Sequence, residues 1–72
     1  MEQLNVQFKK IRLDRGLTQK QVANALGITE QSYQRYEYGK VIPSATVLIS
    51  LADFYNVSLD YLVGRSDIPE RR

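Results

Sequence analysis

Between Thr29 and Gly39 the chain reads TEQSYQRYEYG, and its polar members are of types that recognise planar partners. Gln31 and Gln34 carry amides with a donor and an acceptor side by side, Arg35 a guanidinium fork, and Glu30 acceptors alone. These groups form paired hydrogen bonds; they do not make or break covalent bonds. The residue types that do so are scarce. Histidine and cysteine are both absent, which removes the commonest general base and metal ligand and every thiolate site or disulfide. Asp53 and Asp60 have no histidine, cysteine or carboxylate cluster to act with, and no Gly-rich phosphate loop is present. An enzyme is not expected, nor is a cofactor, a metal or a small-molecule ligand. Recognition by surface hydrogen bonding is.

Something must hold those groups in place. Seventy-two residues make one small domain, which buries a modest fraction of its surface and depends on efficient helix packing. No apolar run is long enough to span a membrane, and the opening MEQLNVQFKK lacks the apolar core of a signal peptide, so a cytoplasmic domain is expected. Net charge is +2 but unevenly spread: residues 1–40 carry +3, residues 41–64 carry −2 and residues 65–72 return +1. The positive half contains the polar run, which suits an anionic partner.

Helical spacing dominates. Leu4, Phe8 and Ile11 share a face at i, i+4, i+7 and predict a helix from about Leu4 to Arg15, stopped by Gly16. Thr18-Gln19-Lys20-Gln21 fits a capping box opening a second helix, with Val22, Ala23 and Leu26 inward and Gly27 at its end. Thr29 caps a third, about Glu30 to Tyr38, which Gly39 ends. Pro43-Ser44 begins a fourth with Leu48, Leu51, Ala52 and Tyr55 as its buried stripe. Ser58 caps a short fifth from about Leu59 to Val63, closed by Gly64. The remaining RSDIPERR is polar and reads as a frayed tail, so the expected organisation is one all-α domain over 1–64 and a polar C-terminal tail over 65–72.

Helices 2 and 3 are each too short to stand alone and must pack on one another and on their neighbours. Small Ala23 permits close approach, Gly27 a tight turn, and Ile28 fills the corner. Tyr33 and Tyr36, three apart, face inward as core; Gln31, Gln34, Arg35 and Tyr38 then occupy the opposite face, with Glu30 at the helix start. Such a helix fits the DNA major groove, where Gln pairs with adenine, Arg with guanine and Glu accepts from cytosine, each good pairing contributing roughly 1–3 kcal/mol of discrimination. The plainer alternatives are a solvated polar face for Gln31 and Arg35, and for Glu30 a favourable interaction with the helix dipole.

TQKQVANALGITEQSYQRYEYGKVIP resembles the helix-turn-helix of the Xre-like family, the phage repressor and Cro type. The matching features are Gln19 opening helix 2, small Ala23, Gly27 in the turn, and apolar Val22, Leu26, Ile28, Tyr33 and Tyr36. RGLTQ before it and LADFYNVSLDYLVG after it extend the resemblance to nearly all of residues 6–64. The resemblance implies a compact five-helix, lambda-repressor-like fold with helix 3 as recognition helix. It implies base contacts from Glu30, Gln31, Ser32 and Arg35, with Gln34 on the flank where it reaches bases or backbone, and phosphate contacts from Thr18, Gln19, Lys20 and Lys40, with Tyr38 near enough to the helix end to touch a phosphate as well. It implies an internal ion pair between Arg12 and Glu37, and a dimer surface near the C-terminus at Leu59, Tyr61 and Val63. The loop YGKVIP departs from the pattern in carrying Lys40 alone, which leaves minor-groove contacts without an evident donor.

The function expected is therefore a sequence-specific, DNA-binding transcriptional regulator, a repressor before an activator, acting on double-stranded DNA as a homodimer. The alternative is a protein-interaction module such as the antitoxin partner of a toxin, since fold alone does not determine function. A further alternative is the DNA-binding portion of a longer repressor. RNA binding is less expected, because no exposed aromatic platform stands ready to stack bases.

Overall fold

The structure is a computed structural model and describes residues 4–70; the outermost parts of the expected domain and tail, residues 1–3 and 71–72, lie outside the described residues. Five helices follow in chain order: α1 (Leu4–Asp14), α2 (Gln19–Leu26), α3 (Glu30–Glu37), α4 (Ala45–Tyr55) and α5 (Leu59–Leu62). No strand occurs among the described residues, so the all-α, five-helix architecture holds.

Each helix after the first begins at a hydroxyl that satisfies an otherwise orphaned amide. Thr18 accepts from the Gln21 amide at 3.1 Å while Gln21 Oε1 accepts from the Thr18 amide at 2.8 Å, a complete capping box. Thr29, Ser44 and Ser58 accept from the amides of Ser32, Val47 and Tyr61. Gly27 ends α2 at φ 73°, in the left-handed region where a side chain is strained, and it redirects the chain into α3 within three residues. Gly39, at φ 74°, likewise lies in the left-handed region, and its turn packs beside the Asn5 side chain of α1. Helices 1, 3 and 5 each end one residue earlier than their apolar spacing predicts. Arg15, Tyr38 and Val63 bond within tightened closing turns instead of continuing the helix.

α3 lies against both α1 and α2, α2 also against α4, and α5 against α1 and α4. Between them sit Phe8 and Ile11 of α1, Val22 and Ala23 of α2, Tyr33 of α3, Leu51, Ala52 and Tyr55 of α4, then Val57 and Leu62, all buried. Leu48, expected in the α4 stripe, is partly buried at its edge. Burial of this set is what makes the two eight-residue helices α2 and α3 stable together.

The segment after Gly64 differs from the frayed tail its polarity predicts. The Ser58 amide, which opens α5 and has no helical acceptor, donates to the Pro69 carbonyl at 3.0 Å. Pro69 and Glu70 thereby line an open surface hollow together with Arg15, Asn56 and Val57. The bond satisfies a backbone donor that would otherwise lack a protein acceptor at the corner.

Candidate nucleic-acid interface

The inner side of α3 is anchored by a carboxylate. Glu37, 5% exposed, receives Arg12 Nε at 2.6 Å and Arg12 Nη2 at 3.1 Å, a two-point pairing of α1 with α3. Arg12 Nη1 also donates to the Leu17 carbonyl at 2.9 Å, tying in the connection to α2. The Tyr33 hydroxyl, one turn before Glu37 on α3, donates to Glu37 Oε2 at 2.5 Å. From α2, Gln19 Nε2 donates to Glu37 Oε1 at 3.2 Å. Three helices therefore converge on one carboxylate.

The electrostatics follow from that convergence. Burial alone would raise the Glu37 pKa, but hydrogen bonds from Arg12, Tyr33 and Gln19 outweigh it and hold the carboxyl below its ordinary value. The Arg12 guanidinium is shifted up, its hydrogen bond to Glu37 exceeding the opposing effect of burial. Burial, reinforced by donation to Glu37, pushes the Tyr33 phenol up. Burial likewise pushes Tyr55 up to about 12. Tyr55 is also influenced by Tyr33, yet among the described residues its hydroxyl meets no partner within hydrogen-bond geometry.

The outer side of α3 is polar. Glu30, Gln31 and Arg35 are exposed, and Ser32 and Gln34 are half-buried. Ser32 Oγ accepts from the Thr29 hydroxyl at 2.9 Å. Gln34 Nε2 donates to Gln19 Oε1 at 3.1 Å and reaches Glu30 Oε2 at 3.5 Å. Thr18, Lys20, Tyr38 and Lys40 are exposed around this face, Tyr38 at 59%. Gln19 is half-buried, its amide engaged on both sides. Of the C-terminal apolar residues, Leu59 is 47% exposed, whereas Tyr61 and Val63 are partly buried and Tyr61 rests on the core.

Two contributions escaped the sequence reading. The Tyr33 hydroxyl is a polar arm of the Glu37 cluster as well as core, a role that the i, i+4 spacing of Tyr33 and Glu37 could have indicated. Lys9, to which the sequence assigned no role, borders the open groove that contains Thr18, Gln19, Glu30 and Tyr38. Its spacing of three from Arg12 put it on that side of the helix.

Two short helices joined through a glycine turn, the second presenting a polar face and anchored from behind by a buried ion pair, define a helix-turn-helix domain. The Helix-turn-helix family model matches residues 8–62, and the chain belongs to that family, in its Xre-like form. Among curated relatives it is 41% identical over 56 residues to the SPbeta prophage-derived HTH-type transcriptional regulator YonR of Bacillus subtilis, covering 78% of this chain and 52% of the relative. It is 34% identical over 68 residues to the HTH-type transcriptional regulator ImmR of the same organism, covering 94% and 54%. It is 42% identical over 48 residues to the cryptic phage CTXphi transcriptional repressor RstR of Vibrio cholerae, covering 67% and 43%. A transcriptional regulator from Listeria innocua superposes with TM-score 0.81 at 28% identity, over 90% of this chain and 61% of that one. The chain thus spans about half the length of the curated relatives it matches.

Proposed function

We propose that this domain is a sequence-specific DNA-binding transcriptional regulator, a repressor before an activator, that inserts α3 into the major groove while α2 crosses the backbone. The observation that carries the reading is the α2–α3 pair itself, tied from inside by the Glu37 cluster while Glu30, Gln31 and Arg35 are exposed outside. Its relatives' names as HTH-type transcriptional regulators and phage repressors support the same reading. No chemical step is part of it. The domain binds and is read out by occupancy, in the cytoplasm.

In this reading Glu30, Gln31, Ser32, Gln34 and Arg35 approach base edges. The α2 N-terminus, with Thr18, Gln19 and Lys20, meets the phosphate backbone together with Tyr38 and Lys40. One domain of this size covers few base pairs, so a dimer on an inverted repeat supplies useful specificity, with half-sites about 10 base pairs apart or a multiple of that. Of Leu59, Tyr61 and Val63, Leu59 is the most exposed and so the most available for pairing; Leu59→Glu should leave a folded monomer with weakened DNA binding, and an unchanged dimer would refute that surface.

The direct test is a nuclear magnetic resonance titration of the 15N-labelled chain with a mixed-sequence DNA duplex. Shifts confined to the α2 N-terminus, the outer face of α3 and the loop at Lys40 are expected. Shifts concentrated on α4 and α5, or none at concentrations that saturate non-specific binding, would contradict the reading.

A further inference from the structure

Glu37 is ionised and therefore accepts hydrogen bonds without donating any. Only the NH2 end of Gln19 can face it, which turns Gln19 Oε1 away from the core. That oxygen in turn requires a donor, and Gln34 Nε2 supplies it at 3.1 Å. The same nitrogen is the one nearest Glu30 Oε2, also an acceptor, at 3.5 Å. The amides of Gln19 and Gln34 are thus each oriented by the inner neighbour. What remains is Gln34 Oε1, an acceptor that no protein donor meets among the described residues.

Residues 30 and 34 are one helical turn apart, as are 31 and 35. The first edge of α3 offers acceptors alone; the second carries the donors of Gln31 and Arg35. An acceptor in the major groove is compatible with the amino groups of adenine N6 or cytosine N4, and incompatible with guanine O6 and N7 or thymine O4.

We propose that Gln34 is a positioning residue that carries the polarity of the buried Arg12–Glu37 pair to the surface, so that the Glu30–Gln34 edge selects bases that present an amino group in the major groove, adenine or cytosine, on the strand it faces. The proposal rests on the DNA-binding reading and specifies what one edge of the recognition helix reads.

The test is selection from random duplexes with the wild-type chain, Gln34→Met and Gln34→Lys, each first checked for an intact thermal melt. Wild type should enrich adenine or cytosine over guanine and thymine by roughly ten-fold at the positions facing this edge. Met supplies neither donor nor a comparable acceptor, so Gln19 and Glu30 lose their partner and that enrichment should fall towards the composition of the pool. Lys keeps the donor to Gln19 and Glu30 but removes the acceptor. It should retain the preference facing Glu30 and turn the one facing residue 34 towards guanine. A purely structural glutamine would lower the melt or the affinity and leave the base profile alone. A wild-type site with guanine or thymine at these positions, or identical profiles for all three proteins, would overturn the proposal while leaving DNA binding intact. A folded wild type that selects no site would overturn the DNA-binding reading, and the proposal with it.

Discussion

Arg12 Nε lies 2.6 Å from Glu37 Oε2, with side-chain exposures of 10% and 1%, and this pair joins α1 to the helix that carries the polar face. A buried pair of this kind contributes little net stability against an apolar replacement of both partners, but stranding one partner is costly. Its consequence for α3 is geometric. The inner face is tied at one carboxylate, so the outer face has one orientation.

Glu37→Ala should therefore unfold the domain rather than selectively weaken ligand binding. It leaves the Arg12 charge without its partner and the Tyr33 hydroxyl without an acceptor, at a cost of about 3–5 kcal/mol, a large share of what so small a domain has. Thermal unfolding followed by circular dichroism measures it. A melt within a few degrees of wild type would contradict the role given to the pair.

Two buried tyrosines should respond oppositely to loss of the hydroxyl. Tyr33→Phe removes a donor to an ionised carboxylate and should destabilise by about 1.5–3 kcal/mol. Tyr55→Phe removes a buried hydroxyl that meets no partner among the described residues and should be neutral or stabilising. Denaturant midpoints of the two variants decide this, and equal losses would contradict the asymmetry.

The same groups set the pH range of stability. Burial pushes Glu37 up, but its hydrogen bonds, led by that from Arg12, hold the folded pKa below the ordinary 4.5. Its contribution is therefore fully present above that value and is lost as pH falls through the folded pKa. For Tyr55, burial raises the pKa from 10.0 to about 12, so stability is intact below pH 10.0 and declines as pH rises towards 12. Tyr33, raised by burial and by its bond to Glu37, acts in the same direction. Melting temperatures across both ranges should fall at each end, more gently at the acid end in Glu37→Gln if that variant folds. A flat acid limb in wild type would contradict the ionised Glu37.

Contacts to phosphate and to bases should separate experimentally. Lys40→Ala, or Lys9→Ala at the groove beside Gln19, should weaken binding to all sequences alike and reduce the salt slope by about one. Arg35→Ala should instead relax base choice, at a cost of about 1–3 kcal/mol on the preferred sequence and little on others. Affinities over a salt series on two unrelated duplexes distinguish the outcomes. A uniform loss in Arg35→Ala would move Arg35 to the backbone.

The fold was legible where local chemistry and periodicity agree. Thr18, Thr29, Ser44 and Ser58 each announce a helix start, Gly27 announces the turn, and the i, i+3, i+4 spacing of Val22, Ala23 and Leu26 or of Leu48, Leu51, Ala52 and Tyr55 identifies inner faces. What was not legible depends on long-range partners. Nothing local to Ser58 reveals that its amide bonds Pro69, and nothing around Gln34 reveals that its amide is turned by Gln19 fifteen residues earlier. Tyr33 lies between these cases. Its inward position follows from spacing, but the hydroxyl's role requires knowing that Glu37 is buried beside it. The outward residues Glu30, Gln31 and Arg35 are readable as exposed, while what they touch depends on a second molecule.

If α3 reads base sequence directly as part of a paired domain, selection of binding sites from a pool of random DNA duplexes by the purified 72-residue chain should enrich an inverted repeat whose half-sites lie about 10 base pairs apart or a multiple of that. A chain that is folded by circular dichroism yet enriches no sequence would contradict direct readout and move the interaction-module reading ahead.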